Sequence, residues 1–216
     1  MISDYDLVQV TLLSLYVSGV ATIIGSAIGI PLGALIGLKE FGGKGLVKTV
    51  TFTLYGFPPV LSGLAVFYLF SHSGPLGFLD ILFTPTAMIV AETLLVIPLV
   101  TGITITSVVE VDRSIKDTVK ALGASSRQSV LTVMREAWVG LIMACMIGFG
   151  RVIAEVGAAY MVGGNIDGKT RVLTTAIMLE TRMGDFEWAM ALGVVLLAVA
   201  FSVYLFLRLL QEKELL

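Results

Sequence analysis

The sequence predicts an all-α membrane protein with about five transmembrane helices, and two observations support this fold class. Hydrophobic residues make up 56% of the 216 residues and charged residues only 14%, with a mean hydropathy of +0.96. A soluble domain carries about 25% charged residues, so a soluble chain of this composition could not cover its own apolar surface. The chain also contains five apolar runs that reach the roughly 20 residues needed for a bilayer-spanning helix.

These five apolar runs set the predicted spans. They lie within Leu7–Leu38, Val50–Phe70, Thr84–Val109, Val139–Val162 and Ala189–Leu210. The first run is longer than one bilayer crossing, so we expect it to begin as an interfacial helix or to cross with a strong tilt. No Lys or Arg precedes it, which is unlike a signal peptide. Since no internal repeat and no separate soluble segment is evident, we expect residues 1–216 to form a single transmembrane domain.

The Lys and Arg residues of the loops predict the orientation of the chain. Cytoplasmic loops of membrane proteins carry an excess of these residues. If the first loop, the third loop and the C-terminal tail lie inside, ten cationic residues are cytoplasmic and three are outside. We therefore expect a multi-pass protein with its N-terminus outside the cell membrane and its C-terminus in the cytoplasm.

Charge and composition also exclude several classes of function. The net charge of −2 and the pI of about 5.4 do not fit a basic nucleic-acid binder, whose affinity rests on neutralising phosphates. With Cys145 as its single cysteine, the chain has no intramolecular disulfide and no thiolate metal cluster. No zinc-protease or serine-hydrolase motif occurs. We therefore expect no catalytic residue, no metal site and no enzyme.

Small residues and prolines punctuate the predicted spans. Glycines recur every four residues in the first span, at Gly25, Gly29, Gly33 and Gly37. Such a stripe lets another helix approach closely, because packing rather than the hydrophobic effect joins helices in lipid. We expect packing within the subunit, and the alternative is a moving or dimer-forming seam. Pro31, Pro58-Pro59 and Pro98 predict kinks, and the last two sites fit a gate as well as ordinary bends.

Three ionisable residues fall at membrane depth, where each is costly unless it is paired or faces water. Arg151 and Glu155 are spaced i, i+4 and can form an ion pair on one helix face. That pair either locks the helix bundle or forms the polar wall of a solute path. Glu92 has no partner nearby in the sequence, and we expect it to face another helix or water.

One segment matches a nucleotide-binding pattern. Residues Gly163–Thr170 fit G-x-x-x-x-G-K-T, which cradles phosphates when a buried strand precedes the loop and a helix follows it. Here a predicted membrane helix precedes the loop, the predicted topology places the loop outside the cell, and no later strand ends in a magnesium-binding Asp. We therefore interpret the segment as a flexible, glycine-rich exit from the fourth span.

The most polar stretch, Asp112–Gln128, lies on the predicted cytoplasmic side. Its pattern predicts a short helix at Ser114–Leu122, a turn at Gly123 and a second helix at Ala124–Val130. Such a helix pair can be a solvated connection, or it can be a docking surface for a cytoplasmic partner.

The docking interpretation gains from a resemblance to a known family. Residues Asp117–Ala124 resemble the E-A-A-x-x-x-G loop of ATP-binding-cassette importer permeases, with Asp117 in place of the Glu and Gly123 matching the Gly. In that family the loop forms a coupling helix that sits in a groove of the ATPase subunit. The resemblance implies a coupling loop at about residues 112–130. It implies the ATPase-coupling residues Asp117, Gly123, Ala124 and Ser125.

Other segments resemble the molybdate and sulfate group of these permeases. Phe57-Pro58-Pro59-Val60 and Gly74-Pro75-Leu76-Gly77 are similar to the second span and outer loop of that group. Gly150–Ala158, followed by Gly164-Asn165-Ile166 and Gly168-Lys169-Thr170, resembles the signature R-x-I-x-E-x-G-A…G-N-I-x-G-x-T of its oxyanion subgroup. The resemblance covers nearly the whole chain from Leu7 onward.

One further combination, Arg135-Glu136-Ala137 with Val162–Gly168, looks most like the tungstate-specific permeases. The resemblance implies the type I importer permease fold, with a cytoplasmic coupling helix, in the cell inner membrane. It also implies a homodimer that works with cytoplasmic ATPase subunits and an extracytoplasmic oxyanion-binding protein. ATP and Mg would belong to the partner ATPase, whereas this chain would bind no cofactor.

The expected function is therefore import of a tetrahedral oxyanion, with tungstate first and molybdate or sulfate next. The candidate path or structural residues are Arg151, Glu155 and Glu92. Two other classes remain open, an autonomous ion-coupled carrier that uses these ionisable residues and a membrane scaffold that transports nothing. A permease would co-purify with an ATPase, a carrier would transport alone in liposomes, and a scaffold would move no solute.

Overall fold

The computed structural model describes residues 4–214, and the regular structure in that range is helical. The α-helices are α1 (Asp4–Leu38), α2 (Lys44–Thr53), α3 (Pro59–Phe70), α4 (Pro85–Glu110), α5 (Arg113–Ala121), α6 (Ser126–Glu136), α7 (Trp138–Ile153), α8 (Gly157–Gly163), α9 (Leu173–Met183) and α10 (Phe186–Glu214). Two short 3-10 turns lie at Leu54–Gly56 and Gly77–Leu79. The all-α prediction is confirmed.

The number of membrane spans also agrees with the prediction of about five. Three stretches are single helices long and apolar enough to cross a membrane: Leu7–Leu38, Pro85–Glu110 and Phe186–Leu209. The described residues contain five spans if each of two bent helix pairs is counted as a single span. The first pair, α2 with its 3-10 turn and α3, bends by 97°, and the second pair, α6 and α7, bends by 65°.

Helix α1 is one continuous helix of 35 residues that includes Pro31. At 1.5 Å per residue it is about 52 Å long, whereas the hydrocarbon core of a bilayer is about 30 Å thick. The described part of α1 contains no break that would separate an interfacial helix from the span. A tilted crossing, or one that extends beyond the bilayer, therefore accounts for the long apolar run.

The centre of the fold is the contact between α1 and α4. The four glycines of α1 face α4, where they meet the side chains of Val96, Val100, Thr104 and Val108. A Cβ atom at Gly33 would lie 2.5 Å from the Thr101 carbonyl oxygen, so the two backbones come closer than any larger residue permits. The prediction that the stripe packs within the subunit is confirmed.

The second span breaks at the two prolines predicted to bend it. Helix α2 ends at Thr53, a 3-10 turn follows, and α3 restarts with Pro59 in its first turn, where the missing N–H has no helical partner to lose. The ring of Tyr55 in this turn lies directly against Gly102 of α4. Pro98, by contrast, lies inside α4 and does not end it.

The fourth span is not the single helix predicted within Val139–Val162. Helix α7 ends at Ile153 and α8 begins at Gly157, so the two are separated by a short turn. The carboxylate of Glu155 accepts a hydrogen bond from the Gly157 amide at 2.7 Å, which starts a new helix at that point. The sequence pattern missed this break because the residues next to Glu155, from Val152 to Ala159, are small or apolar and contain no proline.

Replacing Gly33 by alanine should destabilise the protein, because the new Cβ would overlap the backbone of α4. Overpacking of this kind costs about 1–3 kcal/mol, and thermal unfolding of the detergent-solubilised protein measures it. Gly19→Ala is the matched control, since Gly19 lies on the same helix with open space around the new Cβ. Equal stability of the two variants would contradict the close contact of α1 with α4.

Candidate functional site

An ion pair joins the two halves of the broken fourth span. Arg151 Nη1 lies 3.0 Å from Glu155 Oε2, with the Arg151 side chain 36% exposed and the Glu155 side chain 6% exposed. The i, i+4 pairing is confirmed, but the two residues do not share one helix face, because α7 ends at Ile153. Glu155 reaches back to Arg151 from the turn that follows the helix.

The second carboxylate oxygen of Glu155 organises the start of α8. Oε1 accepts hydrogen bonds from the amides of Gly157 at 2.7 Å and Ala158 at 3.2 Å. The hydroxyl of Thr174 on α9 donates to the Glu155 carbonyl oxygen at 2.8 Å. One buried carboxylate therefore connects α7, α8 and, through its own backbone, α9.

Glu92 lies inside the contact between α4 and α1 and is 2% exposed. Its carboxyl group lies beside the Ser18 hydroxyl of α1 and within electrostatic range of Glu155. Among the residues that the structure describes, the Oε2 atom of Glu92 has no hydrogen-bond partner. Of the two surroundings expected for Glu92, the structure therefore shows another helix, and it brings together all three ionisable residues predicted at membrane depth.

Sequence reasoning missed a column of hydroxyl side chains on α1. Buried hydroxyls occur every four residues, at Ser14, Ser18, Thr22 and Ser26. The Ser14 hydroxyl accepts a hydrogen bond from the Leu173 amide at 2.8 Å and donates to the Val10 carbonyl. The sequence contained a signal for this column, because the hydroxyl residues recur every four positions, as the glycines do, and residues with this spacing lie on one face of a helix.

A cavity of about 610 Å³ lies where α2, α4 and α7 meet, on the predicted cytoplasmic side. Its wall includes the aromatic rings of Phe52 and Tyr55, which pack edge to face, and the hydroxyls of Thr106 and Ser107. The carboxylates Glu110 and Glu136 are the charged groups of this wall, and both are exposed. No Lys or Arg lies among its described lining residues.

In the segment that matches a phosphate-binding pattern, several amides donate to oxygen atoms of the segment itself. The amides of Lys169, Thr170 and Arg171 all donate to the Ile166 carbonyl oxygen. The Thr170 hydroxyl is buried and donates to the Gly163 carbonyl at 2.6 Å. The preceding element is helix α8 rather than a strand, so the prediction that this is not a nucleotide site is consistent with the geometry.

This segment is also a compact turn rather than the flexible exit that we expected. The Thr170 hydroxyl accepts a hydrogen bond from the Ile166 amide at 2.9 Å, and Arg171 pairs with Asp167 at 2.9 Å. The Gln9 side chain of α1 donates to the Gly168 carbonyl at 3.0 Å. The internal bonds keep the turn compact, and the bond to Gln9 holds it against the N-terminal end of α1.

The polar stretch after α4 forms the predicted helix, turn and helix. Gly123 adopts φ +74°, the left-handed region that glycine favours, and the amide of Ala124 donates to the Val119 carbonyl. The Ser125 hydroxyl accepts a hydrogen bond from the Gln128 amide, and the Gln128 side chain accepts one from the Ser125 amide. This capping box starts α6, which continues to Glu136 rather than ending at Val130.

At the tip of this segment a large apolar side chain points into solvent. Leu122 is 81% exposed, beside Gly123 and four residues before the start of α6. Asp117 and Ser125 are also exposed, whereas Ala124 is half-buried. Sequence reasoning did not single out Leu122, because a single leucine in an amphipathic helix is usually a buried residue.

Asp112 precedes α5 and accepts a hydrogen bond from the Ser114 amide at 2.7 Å, which lowers the pKa of the Asp112 carboxyl group.

Comparison with known proteins places this fold in a transport family. Residues 29–214 match the family of binding-protein-dependent transport system inner membrane components. The chain belongs to this family. It is thus a membrane permease subunit of an ATP-binding-cassette transporter, a transport component whose ATPase is a separate chain and whose family depends on a binding protein.

Two relatives are similar over most of their length. The chain is 42% identical over 202 residues to a probable anion ABC transporter permease protein of Haloferax volcanii, covering 91% of this chain and 87% of the relative. It is 41% identical over 210 residues to a tungstate uptake system permease protein, TupB, of Peptoclostridium acidaminophilum, covering 97% and 92%.

A solved structure confirms the fold class. An inward-facing form of the MetNI methionine ABC transporter superposes with a TM-score of 0.74, covering 95% of this chain and 96% of that chain at 19% sequence identity. The type I importer permease fold implied by the sequence resemblance is therefore correct.

Among the side chains that the structure describes, no group of three or more His, Cys, Asp or Glu residues could hold a metal ion.

Removing one member of the Arg151–Glu155 pair should be more damaging than removing both. Glu155→Gln takes away a charged hydrogen-bond partner, which is worth about 1.5–3 kcal/mol, and leaves the guanidinium unpaired. Arg151→Gln in the same chain should restore part of the lost stability. Thermal unfolding of the solubilised complex for both single variants and the double variant gives the coupling energy, and additive losses would contradict the pair.

Proposed function

We propose that this chain is the membrane-spanning permease subunit of an ATP-driven importer for a tetrahedral oxyanion. Tungstate is the first candidate, and molybdate and sulfate are the alternatives. The observation that carries the proposal is the 41–42% identity, over more than nine-tenths of the chain, to a tungstate uptake permease and an anion permease. Permeases for molybdenum and sulfate are similar at 25–28% identity.

In this proposal Arg151 contacts the passing anion, and Glu155 holds the Arg151 side chain in position. The guanidinium is planar with five N–H donors that suit oxyanions, and Nη1 alone is engaged by Glu155. About a third of the Arg151 side chain is exposed, so its remaining donors can reach a solute beside α7. Glu155 is buried and fully engaged by Arg151 and the start of α8, which supports a positioning role.

The segment from Asp112 to Gln128 couples this chain to the ATPase. The helix pair offers exposed polar residues, including Asp117 and Ser125, on both sides of the turn at Gly123. The exposed Leu122 adds an apolar knob at the tip, and an apolar anchor set in a polar rim is the usual anatomy of a docking surface. Ala124 belongs to the same turn.

The complete transporter in this proposal is a homodimer of this chain with cytoplasmic ATPase subunits and an extracytoplasmic oxyanion-binding protein. The excess of loop cations supports a topology with the C-terminus and the coupling segment in the cytoplasm and the N-terminus outside. ATP and Mg bind in the ATPase, and ATP binding there favours one of two packings of the membrane helices. Substrate choice then rests mainly with the binding protein, because a permease must release its cargo.

Transport in reconstituted vesicles tests the substrate. The chain, its ATPase and its binding protein, reconstituted together, should accumulate tungstate only with ATP, and molybdate and sulfate should compete more weakly. Omission of the ATPase is the control and should abolish uptake. Uptake by the chain alone would instead indicate an ion-coupled carrier, and no uptake of any oxyanion by the complete complex would contradict the proposal.

Replacing Gly123 tests the coupling role. Valine is strained at φ +74° by about 1–2 kcal/mol or more, so Gly123→Val should distort the turn and weaken binding of the ATPase by about tenfold. Gly42→Val is the matched control, because Gly42 lies in another loop on the cytoplasmic side with open space around it. Membrane insertion of both variants should be normal. Full ATPase recovery and full uptake with Gly123→Val would remove the coupling role.

A further inference from the structure

The buried carboxyl group of Glu92 has surroundings that do not suit a negative charge. Glu92 is 2% exposed, and it lies between α4 and α1, in the interior of the helix bundle. Its Oε2 atom has no hydrogen-bond partner among the described residues. An ionised carboxylate has two oxygens that both need donors, and a buried charge without them is strongly unfavourable.

The elements packed around Glu92 offer it hydroxyls but no cation. Helix α1 contributes the hydroxyl of Ser18. On α3, the hydroxyl of Ser62 is committed to the Ala91 carbonyl oxygen at 2.6 Å. On α7, Arg151 is paired with Glu155 at 3.0 Å. Among the described residues, no Lys or Arg lies within ion-pair distance of Glu92.

The nearest charged group makes a charge on Glu92 still less favourable. Glu155 interacts electrostatically with Glu92 and carries a negative charge that Arg151 already balances. If Glu92 were also ionised, two carboxylates would share one guanidinium inside the membrane, with a net charge of −1. One proton on Glu92 makes the set of three residues neutral and removes the buried charge that has no cation to balance it.

We propose that Glu92 is a proton-binding site in the membrane domain, where the protonated carboxyl holds α4 to α1 as a neutral hydrogen-bond partner of Ser18. Glu92 is then a positioning residue and not a charge in a solute path. This site is formed by the packing of α4 against α1, and it is independent of which anion is transported.

Infrared spectroscopy of the purified transporter complex detects the proton directly. The wild-type complex near neutral pH should show the carbonyl stretch of a protonated carboxyl group, shifted by exchange into heavy water. Glu92→Gln should lose this band. Glu180→Gln is the matched control, because Glu180 is another carboxyl buried to a similar extent, on α9, and its removal should leave the Glu92 band in place.

Thermal stability distinguishes a neutral carboxyl from a charged one. Glutamine has nearly the same shape as a protonated glutamate and, like it, is neutral with both a donor and an acceptor. Glu92→Gln should therefore change the melting temperature by less than about 2 °C. Glu92→Ala should lower it by at least about 4 °C, because it leaves a cavity and an unpaired Ser18 hydroxyl.

Two results would overturn the proposal. A wild-type complex without a band that depends on Glu92 would mean that the carboxyl is ionised. Failure of Glu92→Gln to assemble, while Glu92→Asp assembles, would mean that the charge itself is required. Neither readout involves substrate, so failure of this inference is separate from failure of the proposed transport function.

Discussion

The close contact of α1 and α4 is the packing constraint on which the other helices depend. Lipid provides no hydrophobic drive between helices, so helices in a membrane associate by close packing and hydrogen bonds. The glycines of α1 bring the two backbones together, and α7 packs on the same helix α4 through Gly140, which meets Ser107, and Gly148, which meets Val96 and Val100. Helix α4 is thus the axis around which the bundle is built.

The buried charge of Glu155 lies where unpaired backbone amides also require a hydrogen-bond acceptor. Glu155 satisfies amides of a helix start and a guanidinium with one side chain. At the break between α7 and α8, the first amides of α8 have no carbonyl acceptor within the helix. A carboxylate at this position accepts their hydrogen bonds and is stabilised by the positive end of the helix dipole. An ionic group in a membrane protein can in this way be both a helix cap and the partner of a buried ion pair.

Features that depend on local pattern could be predicted from the sequence, and those that depend on distant contacts could not. The five spans, the break at Pro58-Pro59 and the turn at Gly123 each follow from residues within one or two turns of the chain. The compact turn at 163–171 depends on bonds within the turn and to Gln9, about 160 residues away. The proximity of Glu92 to Glu155 likewise arises only when α4 and α7 pack, so the sequence showed each group without its neighbour.

The anchoring of the N-terminal end of α1 has a mechanical consequence. Two hydrogen bonds, from Leu173 to Ser14 and from Gln9 to Gly168, fasten that end to the segment around residues 168–173. A stiff rod fastened at one end acts as a lever, and about 36 Å of helix separates Ser14 from Leu38 at the other end. A rotation of about 5° at the fastened end would move Leu38 by about 3 Å. Small angular changes at the fastened end are thereby magnified into displacements at the opposite end of the bundle, where α5 and α6 lie.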